Sequence, residues 1–158
     1  MMARIDFYND PAAPSPNSVV PSVTAVIRNE AGDLLMIHRT DNDLWAIPGG
    51  GHDAGESIEE TVVREVEEET GIRVAVQSIV GTYTNPHHVM QYDDGEVRQQ
   101  FSICFRASPV GGELRTSAES KEVRWVPPTD LSKLNIHPSI RLRIEHGLDT
   151  GRTEPYIG

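Results

Sequence analysis

The chain has one cysteine, Cys104, among 158 residues, which excludes an internal disulfide and any site built on several thiolates. Cys104 lies in an apolar, strand-like run, so a small buried core residue is expected. Aromatic residues make up only 6% of the chain, and no apolar run approaches the roughly 18 residues of a membrane span, so no membrane partner is expected. The opening MMARIDFYNDPAAPSPNS lacks a basic segment followed by an apolar one; export is not indicated, and a cytoplasmic location is the default expectation. Cations are scarce as well, with 14 Lys and Arg against 24 Asp and Glu and a formal net charge of -10. That balance argues against a nucleic acid polymer as partner. It leaves anionic small ligands open wherever a bound metal inverts the local sign.

What is present has the size of one domain, with 37% apolar and 24% charged residues, enough to bury a core without disulfides. Residues 1–18 carry Pro11, Pro14 and Pro16 and read as an extended N-terminal arm. Ile5, Phe7 and Tyr8 could pin that arm to the domain or to a second subunit, which keeps a homodimer open. Residues 19–158 read as the single folded domain. Val23, Ala25 and Ile27 alternate as a strand, Asn29 to Asp33 make a turn, and Leu34 to His38 return, which predicts a hairpin. Strands are also expected over 72–83, 97–107 and 123–126. Asp93-Asp94-Gly95 forms a hairpin turn, and residues 109–112 are a break. A last helix is expected from His137 or Pro138 to His146, stopped by Gly147. Strands and helices in this mixed order predict an α/β or α+β fold with a mixed sheet flanked by helices.

The densest feature is Gly50 to Ile72, which holds Glu56, Glu59, Glu60, Glu65, Glu67, Glu68 and Glu69. Ser57 with Glu60 has capping-box spacing, Ile58, Val62 and Val66 form an apolar stripe, and Gly71 is placed as a left-handed helix stop. Glu65, Glu68 and Glu69 fall one turn apart and share a face, and Arg64 lies four residues from both Glu60 and Glu68. Carboxylates so crowded repel one another, so a divalent cation between them is the first expectation; a solvated helix face is the alternative.

Gly50, Glu56, Arg64, Glu65, Val66, Glu68, Glu69, Gly71 and Ile72 fill, without insertion, every fixed position of the signature of the Nudix hydrolases, which this stretch resembles. The likeness runs from about Val19 to Leu148. It implies an α/β/α sandwich with a mixed central sheet, Mg²⁺ or Mn²⁺ as cofactor, and hydrolysis of a nucleoside diphosphate linked to another moiety. The chemistry agrees, because a phosphoanhydride repels an attacking water until cations screen it, and hard carboxylates suit Mg²⁺.

By this resemblance Glu65, Glu68 and Glu69 are expected metal ligands, with Glu56 and a Gly50 carbonyl as further candidates, and Arg64 and Gly71 hold the motif together. Glu65 and Glu68 are expected at the reaction itself, with Glu119 as base or added ligand and Glu122 as its reserve. For the substrate, Arg39 could pair a phosphate, Trp45 or Tyr92 could stack on a base, and Arg98, His87 and His88 are further candidates. Trp45 could equally be core, and the histidines loop surface. Pro86 lies where relatives that hydrolyse ADP-ribose often carry a proline. ADP-ribose or a nucleotide sugar therefore stands beside an oxidised nucleoside triphosphate as substrate. A non-catalytic nucleotide sensor on the same fold is the alternative function. Isoprenoid diphosphate isomerisation lacks a suitably placed cysteine.

Overall fold

A computed structural model describes residues 4–158. In chain order the elements are β1 (Arg4–Tyr8), β2 (Ser18–Val19), β3 (Ser22–Ile27), β4 (Leu34–Arg39), β5 (Trp45–Ala46), β6 (Gly49–Gly51), α1 (Ile58–Thr70) and β7 (Ile72–Tyr83). There follow β8 (His88–Tyr92), β9 (Val97–Gln99), β10 (Ser102–Gly112), β11 (Ser120–Val126), a 3₁₀ turn (Pro128–Lys133), α2 (Pro138–Leu148) and β12 (Tyr156–Ile157).

Strand β3 explains the architecture. Its side chains alternate between two apolar cores, Val23, Ala25 and Ile27 toward one and Val26 toward the other, and from Val23 onward every residue is buried. A strand covered on both faces sits inside a sandwich rather than on one wall. On one side Val62 and Val66 of α1 meet Phe105 and Ala107 of β10; on the other Ile144 of α2 meets Leu34, Met36 and Val80. The central sheet has the order β12-β7-β10-β3-β6 and is mixed, with β10 parallel to β3 and antiparallel to β7. The expected α/β/α sandwich is the observed fold. Cys104 is fully buried, as its apolar run predicts.

Several local expectations give way to tertiary pairing. The hairpin of β3 with β4 does not form beyond a single Arg28–Leu34 bridge, because both edges of β3 are taken by β10 and β6. Strand β4 instead pairs with β11 and β5 in a separate three-stranded sheet. The run predicted over 97–107 splits at Gln100, whose N–H donates to the His88 carbonyl, so that β9 belongs to one sheet and β10 to another. Residues 109–112 are not a break. They continue β10 against β7 through register shifts, one of them between Pro109 and Gly111. Gly147 lies within α2 rather than stopping it, set so close to Val26 that a side chain would collide, and Asp149 caps the helix end.

The arm also carries structure. Strand β1 pairs antiparallel with β8 from Arg4–Tyr92 to Tyr8–His88, and β2 pairs with β9, giving a four-stranded sheet of order β1-β8-β9-β2. Ile5, Phe7 and Tyr8 thus attach to this chain's own hairpin, turned at Asp93-Asp94-Gly95 as expected. Among the described residues no helix is long and apolar enough to cross a membrane.

Candidate active site

Helix α1 is built as its sequence reads. The Ser57 side chain accepts from the Glu60 N–H, and the Glu60 carboxylate accepts from the Ser57 N–H at 3.0 Å. Gly71 ends the helix at φ 79°, a left-handed conformation that favours glycine, with its N–H donating to the Glu67 carbonyl. With its ends fixed and Val62 and Val66 in the core, the helix holds its glutamates in three different settings.

Glu69 is only 5% exposed, and its carboxylate accepts a single hydrogen bond, from the Gly49 N–H at 3.3 Å. Loss of solvent pushes its carboxyl up to about 8, helped by the nearby Glu65 and Glu119 charges. Glu65, one turn back, lies against Gly50, where an added Cβ would overlap the Glu65 carboxylate. Burial raises its carboxyl too, against the opposing pull of Arg64. Glu68 is exposed on the outer side of the helix and meets Arg64 at 3.2 Å. Glu68 and Glu69 share a helix face by their spacing, yet only Glu69 is enclosed, because position 69 falls on the Val62–Val66 side of the helix, where β6 covers it.

Arg64 gathers the remaining acids. Its guanidinium holds Glu56 through two hydrogen bonds of 2.7 and 2.9 Å, Glu65 at 3.0 Å and Asp53 at 3.1 Å. These contacts raise the Arg64 pKa and depress that of Glu56. Glu60, expected to share Arg64, is spent on the cap instead. Glu56 is turned onto Arg64 and Thr61.

A cavity of about 240 Å³ opens beside this end of the helix, with Gly49, Gly50, Glu69, Arg39 and Glu119 in its wall. Glu119 arrives on the loop before β11, which is tied down when Ser120 Oγ donates to the Glu69 carbonyl at 2.7 Å and the Thr40 N–H donates to the Glu119 carbonyl at 3.1 Å. Glu122 lies elsewhere, 3.4 Å from both His38 and Arg124. Burial opposes the Arg39 charge, but paired hydrogen bonds to Asp41 hold its pKa above the ordinary value.

Of the residues expected to meet substrate, Arg98 is paired with Glu96 and lies over the Tyr92 ring at 4.7 Å, both in the cavity wall. Trp45 also lines the cavity but is only 7% exposed, with His38 stacked on it and Arg124 over its ring. His87 is exposed, whereas His88 is not loop surface: it is buried in β8 and stacks on His137. Arg143, Gln100 and His137, none of them among the expected substrate residues, also line the cavity. Arg143 had a signal, since it stands three residues after Ile140 and beside Ile144 on the inward stripe of α2.

Among the described residues no three acidic, histidine or cysteine side chains stand ready around a common point to hold a metal. The donor set nevertheless fits a hard divalent cation. Two carboxyls, Glu65 and Glu69, are pushed up by burial against glycine backbone, and Glu69 has one N–H for a partner.

Comparison with known proteins bears on the same stretch. The NUDIX domain family model matches residues 19–146. A MutT-like protein of Streptomyces ambofaciens is 41% identical over 121 residues, 77% of this chain and 72% of that one. An ADP-ribose pyrophosphatase of Methanocaldococcus jannaschii is 36% identical over 104 residues, 64% of this chain and 58% of its own length. The nucleoside triphosphatase NudI of Escherichia fergusonii is 29% identical over 126 residues, covering 75% and 89%. In three dimensions the MutT protein of Methanosarcina mazei superposes with a TM-score of 0.67 at 28% identity, covering 90% of this chain and all of that one. The chain belongs to the Nudix hydrolase family, as a MutT-like enzyme that hydrolyses phosphoanhydride bonds.

Proposed function

We propose that this chain is a Mg²⁺- or Mn²⁺-dependent diphosphohydrolase that cleaves the phosphoanhydride bond of a nucleoside diphosphate linked to another moiety. The observation that carries the reading is Glu69, a carboxyl buried beside Glu65 and the Gly49–Gly50 backbone in the wall of a cavity large enough for part of a nucleotide. An acid held out of water with one hydrogen bond is unfavourable unless a cation completes it. Glu65, Glu68 and Glu69 would hold that cation, with the Gly50 carbonyl and Glu56 as further ligands. When bound, it would screen the diphosphate and acidify the attacking water.

The chain's own groups account for the rest. Arg64 donates to both Glu65 and Glu68 and so holds the two carboxylates close together, where they would serve a bound cation. Arg39 stands on the cavity wall within electrostatic reach of Glu69, placed to pair a phosphate oxygen. Glu119, tethered through Ser120 to the end of α1, is the carboxylate positioned to take the proton of the attacking water. An ADP-ribose pyrophosphatase and a nucleoside triphosphatase among the relatives support a nucleotide but divide over the group beyond the diphosphate.

The test is incubation with Mg²⁺ and a panel of nucleotide sugars, dinucleotides, triphosphates and oxidised nucleotides in ¹⁸O-labelled water, with products identified by mass. We expect cleavage of one class with label on a single phosphorus. Calorimetric binding of a nucleotide with no hydrolysis of any member would favour a non-catalytic sensor instead.

A further inference from the structure

The cavity has a second polar region that the glutamates do not explain. Six buried side-chain atoms among the described residues have no hydrogen-bond partner: Asp6 Oδ1, Thr24 Oγ1, His88 Nδ1, Gln100 Nε2, Ser102 Oγ and Arg143 Nε. All six residues line this one cavity. Buried polar groups are almost always satisfied, so the convergence of all six on one space points to a polar occupant. Two of them have weak company: Asp6 Oδ1 forms an ion pair with Arg4 at 3.1 Å, and Thr24 lies beside the Cys104 thiol.

Arg143 is the sharpest case. It is 5% exposed, its guanidinium lies 5.2 Å from the Tyr83 ring centroid, and no carboxylate pairs with it among the described residues. A buried guanidinium without an acid is unfavourable and offers only donors. Gln100 adds another donor, because its Oε1 already accepts from the Asn85 N–H at 3.2 Å and its Nε2 is left free. His88 and His137 stack face to face nearby, both held neutral by burial, so they add no charge to the wall. The charges around Glu69 form a different group, made of Glu65, Arg39 and Glu119.

We propose that Arg143, Gln100 and Ser102 form a specificity subsite that binds an oxygen acceptor of the substrate, separate from the glutamates that face the phosphates. The proposal rests on the hydrolase reading for the identity of the substrate as a nucleotide. Strand β1 completes the wall with Arg4 and Asp6, and it lies before the family-matched residues 19–146, so this chain builds part of the subsite from its own arm. The acceptor can be a carboxylate on the moiety beyond the diphosphate or a carbonyl on the base, since both present oxygen to the same donors.

The test reads binding without turnover, by calorimetry with Mg²⁺ on the Glu68→Gln background. Two matched pairs are compared: UDP-glucuronate with UDP-glucose, and GDP-glucose with ADP-glucose. The acceptor-bearing member should bind about ten-fold more tightly in at least one pair, the scale of a hydrogen bond to a charged group. A preference in the first pair assigns the carboxylate, and in the second the base. Gln100→Glu keeps the oxygen that meets Asn85 and replaces the free donor with an acceptor, so it should abolish the preference. Arg143→Met should do the same if it folds, and Gln100→Glu decides the matter if it does not. Equal binding within both pairs, binding of none of the four, or a preference unmoved by Gln100→Glu would overturn the subsite. Discrimination by the variant together with a wild-type chain that hydrolyses nothing in the labelled-water panel would sink the hydrolase reading and leave the subsite standing; an active wild type without discrimination would do the reverse.

Discussion

Glu69 and Arg64 divide the charge problem of the glutamate-rich helix between them. Arg64 neutralises the acids that reach its guanidinium, Asp53, Glu56, Glu65 and Glu68, while Glu69 faces the cavity with one backbone N–H. Replacing a buried acid by its neutral isostere removes the unfavourable desolvation and keeps the shape. Glu69→Gln should therefore cut Mg²⁺-dependent turnover by orders of magnitude, yet leave the metal-free protein at least as stable at pH 8.5 as the wild type. Paired turnover assays and urea titrations would check this. A variant that kept near-full activity would remove Glu69 from the metal site. That the glutamates crowd one segment is plain in the sequence; which one is buried is not, since that depends on β6 lying across the helix.

At the scale of the element, α1 owes its limits to its own residues. The capping box satisfies two backbone N–H groups at once, those of Ser57 and Glu60, and Ser57→Ala should lower stability by about 1 kcal/mol. Gly71→Ala should cost more, roughly 1–3 kcal/mol, because the residue has a φ of 79° and an added Cβ would collide with the Glu113 carbonyl. Both changes should appear as a lower urea midpoint at unchanged slope. A Gly71→Ala variant as stable as the wild type would mean the loop around Glu113 yields freely. Helix ends of this kind are legible from sequence because their chemistry is local. The β3–β4 hairpin misled for the opposite reason: two apolar runs around a turn suit a hairpin, but β10 and β6 had already filled the edges of β3.

At the scale of the whole molecule, β1, β8 and α2 meet around a neutral histidine pair. Burial pushes His88 down to about 4 from an ordinary 6.5. A base whose folded pKa is depressed is neutral in the fold at a pH where the unfolded chain already binds a proton. Its contribution to stability is thus complete above pH 6.5 and declines as pH falls from 6.5 toward 4, by up to about 3 kcal/mol. Melting temperature should fall across that window, and His88→Gln should flatten the decline; an equal slope in the variant would show that other groups carry it. By itself the sequence determined the class of fold, the ends of α1, the burial of Cys104 and the cluster of acids fit for a divalent cation, because these follow from periodicity, capping and charge within short stretches. Only the tertiary structure decided that Glu69 is the acid enclosed, that Glu119 rather than Glu122 reaches the cavity, and that Asp6, His88, Gln100 and Arg143 share its wall. Those residues come from β1, β8, the β9–β10 junction and α2, and nothing local to any of them encodes how distant strands choose their neighbours.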